Sequence, residues 1–353
     1  MQQDRFLEVL REHTARYPKM EPQDCGKLIY QSEFGPEHML GEKKFVLSHI
    51  REEFAVLPEK SVPEGIEPIG QKVCRFPLSM LTGQGAFELC TDLFFRTAEE
   101  CQGTMEGLLG KISLTEQFWT EELQRRGMKE WMSDWKQQGY LPIHHSRTFH
   151  ETYQPHYRLL CTEYAVYFPV LLEIARLMKE EKPVLIGIDG RCGSGKSHFA
   201  AVLEKLFSCN VVHMDDYYLP PEKRSRDWER TVGGNMDFDR FRQEVLLKVW
   251  AGEPIRYRPY CCSSGFIEKE LPLPPRKLTV VEGSYSHHPR LKAEYDYKIF
   301  LTCSKQMQFN RLKEREGDYY KAFQHRWIPM EEHYFTECCT AKNSDIIIET
   351  DFI

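Results

Sequence analysis

Residues 190 to 197, Gly-Arg-Cys-Gly-Ser-Gly-Lys-Ser, satisfy the pattern G-x-x-x-x-G-K-[ST] at every required position. The chemistry of that spacing is anion binding. Gly190, Gly193 and Gly195 allow successive backbone N–H groups to turn inward without a Cβ in the way. Lys196 can then meet the outer phosphates, and the Ser197 hydroxyl can ligate Mg²⁺. With Arg191, Cys192, Ser194 and His198 completing the stretch, residues 190–198 are the expected binding segment for a nucleoside triphosphate with Mg²⁺. Such a loop needs a strand before it and a helix after it. The run Val184 to Ile188 reads as the strand, and the apolar spacing from Lys196 to Leu203 reads as a helix that aims its N-terminal partial charge at the phosphates.

A second group of chemically capable residues is His213-Met214-Asp215-Asp216-Tyr217-Tyr218-Leu219-Pro220. Two carboxylates here follow a short apolar run. In a doubly wound sheet, that end of a strand is where ligands bind. One carboxylate could accept the proton of an attacking hydroxyl while its neighbour holds a metal, directly or through water. A solvated acidic turn is the alternative reading.

The elements that must position these groups follow from periodicity. At 353 residues the chain is long enough for two domains. From about Lys182 the pattern repeats as strand, loop and helix, which indicates a parallel sheet with helices on its faces. Short apolar runs at Val184–Ile188, Asn210–His213, Leu278–Val281, Tyr297–Leu301 and Asp345–Ile348 predict five buried strands. Helical spacing covers 238–250, 305–314 and 329–339. The N-terminal half carries amphipathic stretches at 3–16, 42–57, 86–101, 114–125 and 157–179, with one strand-like piece at 72–76, so it reads as mostly α-helical. The charged, proline-ended segment Lys179-Glu180-Glu181-Lys182-Pro183 places the seam, giving 1–180 and 181–353.

On these residues a resemblance rests. GIDGRCGSGKS, HMDDYYLP and VVEGSYS, in this order and spacing, resemble the uridine kinase and phosphoribulokinase group of P-loop kinases, over residues 182 to 353. The resemblance implies an α/β P-loop kinase domain with ATP as phosphoryl donor. It also implies that Asp215 activates the acceptor hydroxyl and that Glu282, ending the strand Leu278–Val281, serves Mg²⁺ together with Ser197. Gly233-Gly234-Asn235-Met236-Asp237 is similar to the segment whose Asp contacts the ribose, which makes Asp237 a candidate for the acceptor's hydroxyls. Asp216, Tyr218 and Tyr260 fall on the acceptor side, and Arg311, Arg315 and Arg326 fall in the lid region that covers the transferring phosphate. Tyr260-Cys261 stands where the group commonly carries Tyr-Asp. A nucleoside is the first expectation for the acceptor, and a sugar, glycerate or a pantothenate-like alcohol remain open. A reading of a different class is a nucleotide-gated regulatory ATPase. A GTPase switch lacks its guanine-reading N-K-x-D segment, since Lys342-Asn343-Ser344-Asp345 has the first two letters reversed.

Bulk properties bound the partners. The formal charge of −6 sits in residues 1–180, with 21 Lys+Arg against 27 Asp+Glu, while 181–353 balance at 26 each. Neither half is basic, which argues against nucleic acid or an anionic membrane surface as the partner and for a small molecule. The twelve cysteines are scattered with no C-x-x-C, no apolar run reaches membrane-span length, and the start of the chain reads as a polar helix. A reduced cytoplasmic protein is the expectation, with a homo-oligomer open. Two N-terminal segments, 30–38 and 141–158, concentrate His, Tyr and Glu. They could form a packed, hydrogen-bonded corner or a ligand site. His144, His145, His150 and His156 match no metal template.

Overall fold

The computed structural model describes residues 2–351 apart from 71, 117, 120–123, 125 and 263, and for residues 2–4 the backbone alone. The chain divides into two compact units, Met1–Leu172 and Glu173–Ile353. The division falls inside a helix rather than at the charged segment around Lys182.

In the first unit the helices are α1 (Gln2–Arg16), α2 (Pro22–Phe34), α3 (Lys43–Ala55), α4 (Ala86–Glu100), α5 (Met105–Glu116), α6 (Met128–Gln137) and α7 (Arg147–Tyr153), followed by α8 (Thr162–Leu177), which crosses the division. The stretches at 3–16, 42–57 and 86–101 are thus helices, and the stretch at 114–125 lies partly outside the described residues. The helical reading of 157–179 needs correction at its start. Residues Tyr157–Cys161 are strand β3, paired antiparallel with β2 (Val73–Pro77), which also pairs with β1 (Glu67–Pro68). Every residue of β2 and β3 is buried, including Arg75 and Arg158, so neither strand shows the alternation of a half-exposed strand, and α4 packs on β3. Pro169 sits inside α8 instead of breaking it.

In the second unit the five expected strands form one parallel sheet. They are β4 (Val184–Gly190), β5 (Asn210–His213), β6 (Leu278–Glu282), β7 (Tyr297–Thr302) and β8 (Ile346–Glu349), in the order β8-β7-β4-β6-β5. Central β4 and β6 are buried throughout, which is why they read as unbroken apolar runs. The register sets Glu282 beside Ile188 on one side and His213 on the other. The helix α9 (Lys196–Phe207) follows β4, while α10 (Lys305–Glu316) and α11 (Ile328–Glu337) follow β7. The stretch at 238–250 is helical with a π turn at Arg242–Leu246. All twelve cysteines are free. Among the described residues no helix is long and apolar enough to cross a membrane.

Candidate active site

The phosphate-binding segment connects the C-terminal end of β4 to α9. Gly190 has φ 141°, and a Cβ there would strike the Leu301 backbone of β7. Gly195 caps α9 at φ 88°, a conformation that side chains resist. The buried carboxylate of Asp189 fixes the corner by accepting the Gly190 N–H at 2.7 Å, the His287 N–H at 2.9 Å and the Tyr334 hydroxyl at 2.7 Å.

The loop's carbonyls are fastened one by one. Lys196 Nζ donates to Gly190 O at 2.8 Å and Arg191 O at 3.0 Å. Gln308 Nε2 donates to Cys192 O at 2.9 Å, Arg311 Nη1 to Gly193 O at 3.2 Å, and Thr350 Oγ1 to Ser194 O at 2.9 Å. With its carbonyls held in this way, the loop presents the first N–H groups of α9, which no carbonyl within the helix can satisfy. Burial pushes the Cys192 thiol up, so it packs in the loop rather than reacting.

The carboxylates lie across a cleft of 370 Å³ lined by Gly193, Lys196, Ser197, Asp215, Glu282 and Glu331 among others. Ser197 Oγ donates to Glu282 Oε1 at 3.0 Å, and His213 Nδ1 meets the same oxygen at 2.5 Å. That hydrogen bond raises the His213 pKa. Asp215 reaches the cleft surface and accepts the Tyr218 hydroxyl at 2.9 Å. The surrounding protein raises its pKa by desolvation, reinforced by Glu282 and opposed by Tyr218 and Lys196. A carboxylate made more basic in this way is suited to accepting a proton.

The cleft gathers Cys192, Gly193, Gly195, Lys196, Ser197, His198, Asp215, Tyr218, Glu282, Arg311 and Arg315 from the sequence-derived set. Other members of that set are placed differently. Gly190 and Ser194 belong to the loop's base, where Ser194 is fully buried. Arg191 turns away, ion-paired with Glu332 and bonded through Nε to Thr302 at 3.2 Å. Asp216 sits behind Asp215, its backbone carbonyl accepting Arg240 Nη2 at 2.9 Å. Asp237 does not line the cleft, because it caps the next helical turn through the Arg240 N–H at 3.2 Å and pairs with Arg240 Nε at 3.4 Å. Tyr260 is buried in a two-residue strand that packs against residues 214–217, and it does not line the cleft itself. Arg326 pairs with Glu229 at 3.1 Å, also off the cleft. Arg311, though at the cleft, is committed to Gly193 and Thr350 and so braces the loop.

Residues that the sequence did not single out complete the site. Glu331 from α11 accepts the Cys192 N–H and the Ser284 hydroxyl, the latter at 2.8 Å. Tyr285, Phe323 and Trp327 give the cleft an aromatic side, next to Asn235. Ser284 and Tyr285 carried a signal as part of VVEGSYS, and Asn235 as part of the quoted segment 233–237. Glu331, Phe323 and Trp327 are brought in by helical segments more than a hundred residues downstream of the phosphate loop.

No family model matches the chain. Among curated proteins it is 25% identical over 135 residues to phosphoribulokinase of Synechocystis sp. (strain ATCC 27184 / PCC 6803 / Kazusa), covering 37% of this chain and 41% of that protein. It is 29% identical over 132 residues to inorganic pyrophosphatase TTM2 of Arabidopsis thaliana, covering 35% of this chain and 18% of that protein. The chain thus spans less than half the length of the curated relatives it matches. Among solved structures, a possible uridine kinase from Bacillus stearothermophilus aligns at TM-score 0.43 and 18% identity over 53% of this chain and all of that one. Deoxyadenosine kinase from M. mycoides with bound dATP aligns at TM-score 0.24 and 12% identity, over 48% of this chain and 92% of that one.

Proposed function

We propose that the second unit, a P-loop kinase segment like those of uridine kinase and phosphoribulokinase covering about half the chain, transfers the γ-phosphoryl group of ATP to a hydroxyl of a small molecule. What carries this reading is the joint presence, around one cleft, of a braced phosphate loop, the Ser197–Glu282 hydrogen bond and the raised carboxylate Asp215. Lys196 and the loop amides would hold the β and γ phosphates. Ser197 and Glu282 offer only oxygen donors, which suits Mg²⁺. Bound there, the ion would supply neutralisation of phosphate charge. Asp215 accepts the acceptor's proton as that oxygen bonds to the γ phosphorus and the bond from γ phosphorus to the bridging oxygen breaks, releasing ADP. Arg315, at the cleft, adds positive charge toward the transferring group.

A nucleoside is the favoured acceptor because Tyr218, Tyr285, Phe323 and Trp327 provide flat apolar faces for a base. The test is ADP release from Mg-ATP across nucleosides, sugars, glycerate and pantothenate. Stimulation by a nucleoside supports the full reading, and stimulation by another alcohol keeps the kinase and replaces the acceptor. ATP turnover that no acceptor stimulates would defeat it and favour a nucleotide-gated regulator.

A further inference from the structure

The two N-terminal segments rich in His, Tyr and Glu, left aside by the kinase chemistry, fold onto the walls of a single cavity of 850 Å³ in the first unit. Beneath it runs a buried hydrogen-bond chain. Asp24, fully buried, accepts the Ser146 N–H at 2.9 Å, the Ser146 hydroxyl at 2.6 Å and His145 Nδ1 at 2.9 Å. With Nδ1 donating to the carboxylate, His145 Nε2 is left to accept the Tyr157 hydroxyl at 2.7 Å. Gln31 Nε2 donates to Tyr157 Oη at 3.2 Å, and Gln31 Oε1 accepts Arg75 Nη2 at 3.0 Å and Nε at 3.2 Å. Every member has its partner, so this wall is rigid.

The lining itself is a collection of donors and cations: Lys27, His38, His144, His150, His156 and Arg158. Of the lining acids, Glu53 is already shared between His156 at 3.0 Å and Arg158 at 2.8 Å, and Glu52 on the exposed rim accepts the Ser48 hydroxyl at 2.9 Å. The donors are close enough to oppose one another's charge. Burial holds His38 down to about 4, with Lys27 and His144 adding to the effect, and burial followed by Lys27 lowers His150. His38 Nδ1 is buried without a hydrogen-bond partner among the described residues. Among those residues no group of His, Cys, Asp and Glu is arranged to hold a metal. An anion here would meet imidazole N–H donors beside the Lys27 ammonium, and a doubly charged tetrahedral head can accept from several directions at once. The cavity exceeds the size of an inorganic ion, and Met39, Val46, Phe94 and Pro142 offer apolar lining for an organic part.

We propose that this cavity is a second ligand site, built for a phosphate monoester of a small molecule, with Lys27, His38 and His144 on the phosphate. The site does not depend on the kinase reading. The test is calorimetric titration of the full chain carrying Lys196→Ala, which disables the phosphate loop, with glycerol 2-phosphate, inorganic phosphate and glycerol. Saturable binding of glycerol 2-phosphate is expected, with inorganic phosphate weaker and glycerol silent. His38→Ala and His144→Ala, both at positions that reach solvent, should each weaken binding by about tenfold or more without shifting the ligand-free melting temperature. Absence of saturable binding, or binding unaltered in both variants, overturns the site. Equal affinity for inorganic phosphate overturns the ester and leaves an ion site.

Discussion

The Glu331 carboxylate receives the Cys192 backbone N–H on both of its oxygens, each at 2.9 Å, across 139 residues of chain. This contact joins α11 to the phosphate loop. Lys196 acts on the same buried carboxylate, whose pKa is raised by burial. Replacing Glu331 with Ala strands the Cys192 amide and the Ser284 hydroxyl, so the KM for ATP is expected to rise by about tenfold or more. Unchanged steady-state KM in the variant would assign the contact to packing alone.

Glu282 serves two partners, Ser197 and His213, through one oxygen. Glu282→Gln should raise the Mg²⁺ concentration for half-maximal ADP release by about tenfold or more. A Mg²⁺ titration indistinguishable from that of the parent chain would remove Glu282 from metal binding.

The same hydrogen bond gives His213 a pKa above its unfolded value. Its contribution to stability is therefore fully present below the ordinary histidine range and is lost as pH rises through the raised pKa. His213→Asn should lower the melting temperature at about pH 6 and leave it near the parent value at about pH 9. A constant difference across that range would mean that the protonated form is not what stabilises.

Asp215→Asn removes the proton acceptor but keeps the hydrogen-bonding shape. ATP affinity should stay within about threefold, while acceptor phosphorylation falls by about 10²–10⁴. Should the variant keep its transfer rate, the role passes to another group, and Asp216 is the adjacent candidate.

The first unit should be acid-labile. Burial holds His13 and His38 down to about 4 and keeps His145 neutral, so the unfolded chain binds more protons as pH falls from about 6.5. His13 alone corresponds to on the order of 3 kcal/mol. Glu67 works in the same direction at lower pH. Burial opposes its ionisation, yet His13 and Arg75 outweigh that and hold it at about 2, so its contribution fades as pH drops below the usual carboxylate range. Calorimetric scans at about pH 4.5 and 7 should show one transition moving down strongly, the one that Asp24→Ala also lowers. Equal melting at the two values would contradict this reading.

How much was legible follows from the range of the interactions. Strand β4, the loop and α9 are consecutive in sequence, and their glycine pattern, apolar run and helical spacing are local constraints, so the phosphate-binding segment could be read directly. The five parallel strands were legible because burial on both faces leaves short unbroken apolar runs. Residues Tyr157–Cys161 read as part of the amphipathic stretch 157–179 because they run directly into a real helix, and five residues are too few for periodicity to separate strand from helix; pairing with Val73–Pro77 decides. Asp237, Tyr260 and Arg326 are of suitable type for an acceptor site, yet a helix cap, a buried two-residue strand and an ion pair with Glu229 claim them. Glu331, Phe323 and Trp327 had no local signal, since their place at the cleft depends on how the chain after β7 returns over the sheet. By itself the sequence determined what depends on neighbours in the chain: the loop, its strand and helix, and the carboxylates at a strand end. Tertiary structure alone decided which distant side chains brace that loop and which donors crowd the first unit's cavity, because those contacts arise only when segments far apart in sequence pack together.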